Sequence, residues 1–321
     1  MGGAEAAQKF LGRYQILSLL GRGGMAEVYR AKVLKGPWAG REVAIKRLRP
    51  ALAADPESVA AFAAEGELTR QLDHPNIVRV LEVGVHEANY VIVMDLVDGR
   101  DLAQVIRRCK RGGIPLPMDF VLFLARTLCD ALAHAHEAND ASGNPLEIVH
   151  CDVSPSNLFV SRTGEIALGD FGVARARMHP GSDGAFHGKV YYVSPEVLGG
   201  EITREADLWA ATATLYELIT LQRPFAGEHP NEVFRAVREG RYEPASQLRA
   251  DVPEAVEQII ARGFSPKRED RFSSARELGD ALAPLYDERI GNPMAIAAVV
   301  RGLFGATASA QGTLGTGGKS A

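Results

Sequence analysis

Apolar and polar positions alternate over residues 14–34, with a cluster of glycines in the middle: Tyr14-Gln15-Ile16-Leu17 on one side and Val28-Tyr29-Arg30-Ala31 on the other. A period of two buries one face of a strand, and a glycine-rich break between two such runs predicts a hairpin. Lys35 to Gly40, with Gly36, Pro37 and Gly40, is a turn, and residues 42–48 make a third strand. Residues 56–72 change period: Pro56 near the start, then Val59, Phe62, Ala63 and Gly66 at helical spacing. Strands are expected at 77–85 and 89–96. From Leu102 onward helical patterns dominate. Phe120 to Glu137 has Phe123, Leu124, Leu128, Leu132 and Ala135 on one face, and further helices are expected at 204–221, 230–239, 253–263 and 274–285. Asp140 to Pro145 reads as a polar insert. The pattern is a small β-rich lobe with one helix, a hinge at 96–99, then a larger helical lobe. That order leads us to expect a cleft between the lobes.

Composition narrows the function classes. The chain has 321 residues, 46% hydrophobic and 24% charged, which is ordinary globular usage. A net charge of −4 leaves no electrostatic footprint for nucleic acid, so no nucleic-acid partner is expected. Arg107, Arg108, Lys110 and Arg111 read as a solvated helix end. Cys109, Cys129 and Cys151 lack metal-ligand spacing, so a reducing, cytoplasmic setting is the simplest expectation. Met294 to Val300 is the only late apolar run, far short of the roughly 20 residues a membrane helix needs. It is expected to pack as a C-terminal helix, with no membrane segment in this chain. Thr307 to Ala321, rich in Gly, Ser, Thr and Ala, is expected to be a flexible tail.

The chemistry is concentrated in His150-Cys151-Asp152-Val153-Ser154-Pro155-Ser156-Asn157 and in Asp170-Phe171-Gly172. An Asp with an Asn five residues on, followed by Asp-Phe-Gly, is a layout for phosphoryl transfer. Asp152 can orient an attacking hydroxyl and accept its proton. Asn157 and Asp170 are candidate ligands for Mg²⁺, with Mn²⁺ as a substitute. The run Gly21-Arg22-Gly23-Gly24-Met25-Ala26-Glu27-Val28 sits between two strands, where glycines let backbone N–H groups approach phosphates. A strand rather than a helix follows it, which excludes a dinucleotide fingerprint. Val43-Ala44-Ile45-Lys46 puts a lysine on an apolar strand, and a buried amine needs an anion. Glu65, on the helical face of Phe62 and Leu68, is the expected partner.

These motifs, in this order and ending at Ser194-Pro195-Glu196, resemble the eukaryotic-like (Hanks-type) serine/threonine protein kinases of bacteria. The resemblance implies an α+β bilobal protein-kinase-like fold. The N-lobe would be residues 14–95, the hinge 96–99 and the C-lobe 100–285. Residues 1–13 would be an extension, 286–306 a C-terminal helix and 307–321 a tail. It implies ATP and Mg²⁺ as cofactors and a protein Ser/Thr hydroxyl as acceptor. The ATP-binding set would be Gly21, Arg22, Gly23, Gly24, Met25, Ala26, Val28, Ala44, Lys46, Met94, Asp95, Val97, Asp101 and Phe159. Met94 would be the gatekeeper, Asp95 and Val97 hinge residues, Asp101 the ribose-contacting acid, and Val28, Ala44 and Phe159 the walls around adenine. Asp152, Lys46 and Glu65 would be catalytic, with Asn157 and Asp170 on the metal. Asp207 would anchor the catalytic loop, and Arg271 would pair with Glu196.

Two departures stand out. Cys151 sits where the family has Arg, and Ser154 where it has Lys. Lys189 in turn sits where the family has Thr, so Ser154 and Lys189 are expected to have exchanged roles. Without the Arg, and with only Ser182 and Ser194 as Ser/Thr hydroxyls between Asp170 and Glu196, activity is expected not to depend on activation-loop phosphorylation. The same departures leave a second reading, a pseudokinase scaffold that binds nucleotide with little turnover. The sequence names no protein substrate and no oligomeric state.

Overall fold

The computed structural model describes residues 10–171 and 190–305. These form two compact units: residues 10–71 with 78–96, and residues 72–77 with 97–171 and 190–305.

The first unit is a six-stranded antiparallel sheet of β1 (Phe10–Leu11), β2 (Tyr14–Arg22), β3 (Ala26–Val33), β4 (Glu42–Leu48), β5 (Val80–His86) and β6 (Asn89–Asp95), ordered β1-β2-β3-β4-β6-β5. The hairpin strands run longer than their alternation suggests, so Gly21 and Arg22 lie in β2, with Ala26 and Val28 in β3. Cross-strand register puts Val28 opposite both Gly21 and Lys46, and Lys46 opposite Ile92. Directly opposed residues share a face. One face therefore carries Val28, Ala44, Lys46, Leu48 and Ile92. Helix α1 (Pro56–Thr69) packs on it through Phe62, in a cluster with Leu48, Val80 and Ile92. The opposite face buries Val43, Ile45, Val91 and Val93 with Ala31, Val33 and Tyr14. Asp55 caps α1 by accepting from Ser58 N at 3.0 Å, and Pro56 opens it.

The second unit is helical: α2 (Leu102–Gly112), α3 (Met118–His136), α4 (Arg204–Thr220), α5 (Pro230–Glu239), α6 (Glu254–Gly263), α7 (Ala275–Leu282) and α8 (Pro293–Phe304). Among the described residues its sheet is a ribbon of β7 (Gly99–Asp101), β8 (Leu158–Ser161) and β9 (Ile166–Leu168). Helix α4 is buried on nearly every side from Ala206 to Ile219, the signature of a helix at the centre of a core. Trp209 stacks on Phe225 at 5.2 Å, and Phe264 and Tyr242 close the cluster edge-on.

The strand expected at 77–85 begins at Val80. Residues 72–77 group with the helical unit because Asn76 O accepts Leu168 N at 2.8 Å and Asn76 Nδ2 donates to Ile166 O at 2.8 Å. The helix expected to reach 72 stops at Thr69. Among the described residues, no helix is long and apolar enough to cross a membrane. Gly172, Ser182, Lys189 and the 307–321 tail lie outside the described residues.

Candidate active site

In the sheet unit, Gly23, Gly24 and Met25 form the tip of the β2–β3 hairpin. Gly23 N donates to Ala26 O at 2.8 Å, Arg49 N donates to Met25 O at 3.0 Å, and Arg49 Nη1 reaches Gly24 O at 3.2 Å. A Cβ on Gly24 would meet nothing within 4 Å, so packing does not require that glycine. Below the tip, Glu27 takes hydrogen bonds from Tyr29 Oη at 2.6 Å and Arg47 Nη2 at 2.7 Å, and pairs with Arg22 Nε at 3.1 Å. The Tyr29 bond first, then Arg47, holds its carboxyl below the usual carboxylate range. This brace spans β2, β3 and β4 at the base of the loop. Arg22 and Glu27 belong to the glycine-rich run, but their bonding to Tyr29 and Arg47, and the role of Arg49, were not legible in the sequence.

Lys46 Nζ is ion-paired with Glu65 Oε1, and both side chains are largely buried, 15% and 8% exposed. The register explains the meeting: Lys46 lies on the sheet face that α1 covers, and Glu65 lies one turn along α1 from Phe62. Val28 and Ala44 share that face. Met94 packs partly buried beside Ile92 and Val80. The Asp95 carboxylate is engaged by Arg41 Nη2 at 2.9 Å.

In the helical unit, a loop leads from α3 to β8 and carries residues 150–157. Asp207, on α4 and 1% exposed, accepts from His150 N at 2.7 Å and Cys151 N at 2.9 Å, and from His136 Nε2 at 2.9 Å. Cys151 has φ +64°, a left-handed backbone that costs a non-glycine residue on the order of 1 kcal/mol, and the Asp207 bonds hold it there. His150 is fully buried against Phe171, ring centroids 4.4 Å apart. Its Nδ1 accepts Asp152 N at 3.2 Å, so Nε2 carries the proton and donates to Gly169 O at 3.1 Å. His150 is thus a packing and positioning group.

Asn157, 3% exposed, donates through Nδ2 to Asp152 O at 2.8 Å and to Asp152 Oδ2 at 2.9 Å. That commits its amino group and leaves Oδ1 as its acceptor. Asp170, half-buried, has φ +55°. Ser154 is 2% exposed, with Oγ 3.0 Å from Ser156 Oγ. Phe159 and Asp101 are cross-strand partners in the ribbon. The Asp101 carboxyl caps α2, accepting Gln104 N at 2.8 Å, yet burial outweighs that bond and pushes its pKa up to about 6. Burial also raises the Cys151 thiol, with Asp207 and Asp152 adding to the effect. The partner expected for Ser154, Lys189, lies outside the described residues.

Each unit therefore assembles its own share of the expected residues. Lys46, Glu65, Val28 and Ala44 meet on one sheet face, and Asp152, Ser154 and Asn157 meet on one pinned loop.

Residues 14–281 match the protein kinase domain family. Over 304 residues the chain is 38% identical to the tyrosine-protein kinase MasK of Myxococcus xanthus, covering 92% of this chain and 46% of MasK. Over 286 residues it is 33% identical to the serine/threonine-protein kinase PrkC of Bacillus subtilis, covering 87% of this chain and 41% of PrkC. The chain thus spans less than half the length of these two curated relatives. The crystal structure of the Mycobacterium tuberculosis PknI kinase domain matches with a TM-score of 0.64 at 28% identity, over 88% of this chain and 99% of that one. The sheet unit and the helical unit are the N-lobe and C-lobe of that fold, and the chain belongs to the protein kinase family.

Proposed function

We propose that this chain transfers the γ-phosphoryl group of ATP, with Mg²⁺, to serine or threonine hydroxyls of protein substrates. The observation that carries this reading is the Asp152–Asn157 pair, held on a loop whose backbone Asp207 fixes. Asp152 has a carboxylate oxygen to orient the acceptor hydroxyl and take its proton. The hydroxyl oxygen forms the new O–P bond as the β–γ bridging bond breaks, and ADP leaves with the electron pair.

Asn157 Oδ1 and the Asp170 carboxylate are hard oxygen donors of the kind Mg²⁺ and Mn²⁺ take, so the residues fit the metal. When bound, it would neutralise charge on the phosphates. Lys46, oriented by Glu65, is read as the cation for the α- and β-phosphates. The braced Gly21–Val28 hairpin is read as the backbone cradle, with Arg22 and Met25 at its rim. Ala44, Met94, Val97 and Phe159 are read as contacts of the base, Asp95 as a hinge residue and Asp101 as the acid of the ribose end. Positioning and electrostatics supply most of the acceleration in this chemistry, and the groups for both are present.

The exchange of Ser154 and Lys189 belongs to the same proposal, with Lys189 supplying the charge and Ser154 the hydroxyl. Independence from activation-loop phosphorylation is supported by Cys151, which has no charge to offer a phosphate and whose backbone is ordered by Asp207. It is also supported by Ser194, buried at 1% exposure.

The test is transfer of label from γ-labelled ATP to a generic basic substrate, beside Asp152→Ala and Asp170→Ala, followed by phosphoamino-acid analysis. Transfer to serine and threonine that vanishes in both variants is the expected result. Phosphotyrosine would move the acceptor class to tyrosine, the class in the name of the relative MasK. ATP binding without transfer would leave a scaffold in place of an enzyme.

A further inference from the structure

Helix α8 lies beyond the span matched by the family, residues 14–281, and starts on its own signal: Asn292 accepts Ala295 N at 3.0 Å, and Pro293 opens the first turn. Ile296, Ala297, Val300 and Leu303 recur at helical spacing and are buried. The chain leading into the helix is tied to α3, where Asp119 Oδ1 accepts Asp287 N at 2.9 Å.

The helix is attached at both ends. At its first turn it meets Gly164, in the turn between β8 and β9, where Gly164 N donates to Ser161 O at 3.1 Å. Gly164 has φ +90°, and a Cβ there would overlap Pro293 O, so the two backbones meet with no side chain between them. At the last turn, the Phe304 ring centre lies 5.2 Å from the guanidinium carbon of Arg100 on β7, and Leu303 O accepts Arg108 Nε of α2 at 2.7 Å. Thus α8 touches the β8–β9 turn, β7 and α2. These elements converge on Asp101, which ends β7, caps α2 and stands opposite Phe159 of β8.

Successive strand residues point to opposite faces, and directly opposed residues share one. Arg100 meets α8, so Asp101 and Phe159 belong to the other face of the ribbon. We infer that α8 braces the reverse of the β7–β8 ribbon and so positions Asp101 and Phe159 for nucleotide, with Gly164 and Phe304 as positioning residues. This rests on the reading of Asp101 and Phe159 as nucleotide contacts. A binding group held about 1 Å out of place loses much of its contribution. Asp207 pins the catalytic loop separately, through the backbone of His150 and Cys151. Loosening α8 therefore weakens nucleotide binding and spares the chemical step.

The full chain is titrated calorimetrically with ADP and Mg²⁺, beside Gly164→Ala and Phe304→Ala. The first variant drives a methyl into Pro293 O. The second removes the ring at the last turn, where Phe304 is partly exposed, and keeps the test open if Gly164→Ala misfolds. Gly143→Ala is the control for backbone strain, because Gly143 has φ +87° and a Cβ there would meet nothing within 4 Å. Thermal unfolding checks that each variant is folded.

The Kd for ADP is expected to rise about fivefold or more in both α8 variants and to stay at the parent value in Gly143→Ala. The KM for ATP is expected to rise in parallel, with kcat within about twofold of the parent; a merely smaller folded fraction would lower kcat and leave KM alone. Hydrogen exchange is expected to quicken at residues 99–101 and 158–161. An ADP affinity unchanged in a folded α8 variant, or lowered equally in Gly143→Ala, overturns the inference and leaves the phosphoryl-transfer reading standing. A parent chain that binds no ADP overturns both, so the two failures are distinguishable.

Discussion

The Arg271 guanidinium grips Glu196 through two parallel bonds, Nη1–Oε1 at 2.8 Å and Nη2–Oε2 at 3.0 Å, with neither side chain open to solvent. Two of its other donors go to Ser265 O at 2.7 Å and Pro266 O at 3.2 Å, and its face lies 4.8 Å from the Trp209 ring centre. A buried pair of this kind is strongly destabilising to break, because the survivor is left charged and unpaired. Arg271→Ala is expected to lower stability by about 3–5 kcal/mol. Urea unfolding checks this, and a loss below about 1 kcal/mol would contradict the account.

Glu65→Gln keeps the shape of the Lys46 partner and removes its charge. Charge-assisted bonds are worth about 1.5–3 kcal/mol, so kcat/KM for ATP is expected to fall roughly tenfold to a hundredfold. Steady-state kinetics at varied ATP reads this directly. An unchanged kcat/KM would remove Glu65 from the proposed machinery.

Asp101 makes stability depend on pH in the less common direction for a carboxyl. Burial raises its folded pKa to about 6, above the usual 3.8, so the folded state holds the proton more tightly. Its contribution is full below pH ~4 and is lost as pH rises through about 6. The swing is on the order of 2–3 kcal/mol. Asparagine can still cap α2 but does not titrate. The stability of Asp101→Asn relative to the parent is therefore expected to improve from pH 4.5 to 7. A flat difference across that range would mean that the carboxyl titrates normally.

Gly66 and Gly302 both sit in helices, where Ala is ordinarily better by about 1 kcal/mol. A Cβ on Gly66 would lie 2.8 Å from Val83 Cγ2 and 2.9 Å from Ile92 Cγ1, whereas one on Gly302 would meet nothing within 4 Å. Overpacking costs about 1–3 kcal/mol and outweighs propensity at the first site only. Gly66→Ala is expected to destabilise the protein and Gly302→Ala to stabilise it by about 0.5–1 kcal/mol. Opposite signs in thermal unfolding are the readout.

Cys151 is partly exposed, but burial raises its thiol above the usual range and leaves little thiolate at neutral pH. Brief treatment with iodoacetamide at pH 7 is expected to leave it unmodified. Mass spectrometry showing labelling within minutes would reopen a redox role.

Local order was legible in the chain. Alternation in β2 to β4, helical spacing in α1 and α3, and Asp152 and Asn157 five residues apart on one loop depend on neighbours, because strand and helix periods and a short loop's reach are set by covalent geometry. The Lys46–Glu65 pair could be inferred because each residue lay on a readable face.

What the tertiary structure decided lies far apart in sequence. Asn76 ties residues 72–77 to the helical unit, and Asp101 is buried deeply enough to shift its acidity; the family resemblance points to the Asp207 anchor, but not to its bonds with the backbone of His150 and Cys151. The close approach of Gly164 to Pro293 O exists only because helix α8 docks against the turn after β8. Such relationships follow from how packed elements meet. Burial and proximity are properties of that packing, and no local pattern of residues encodes them.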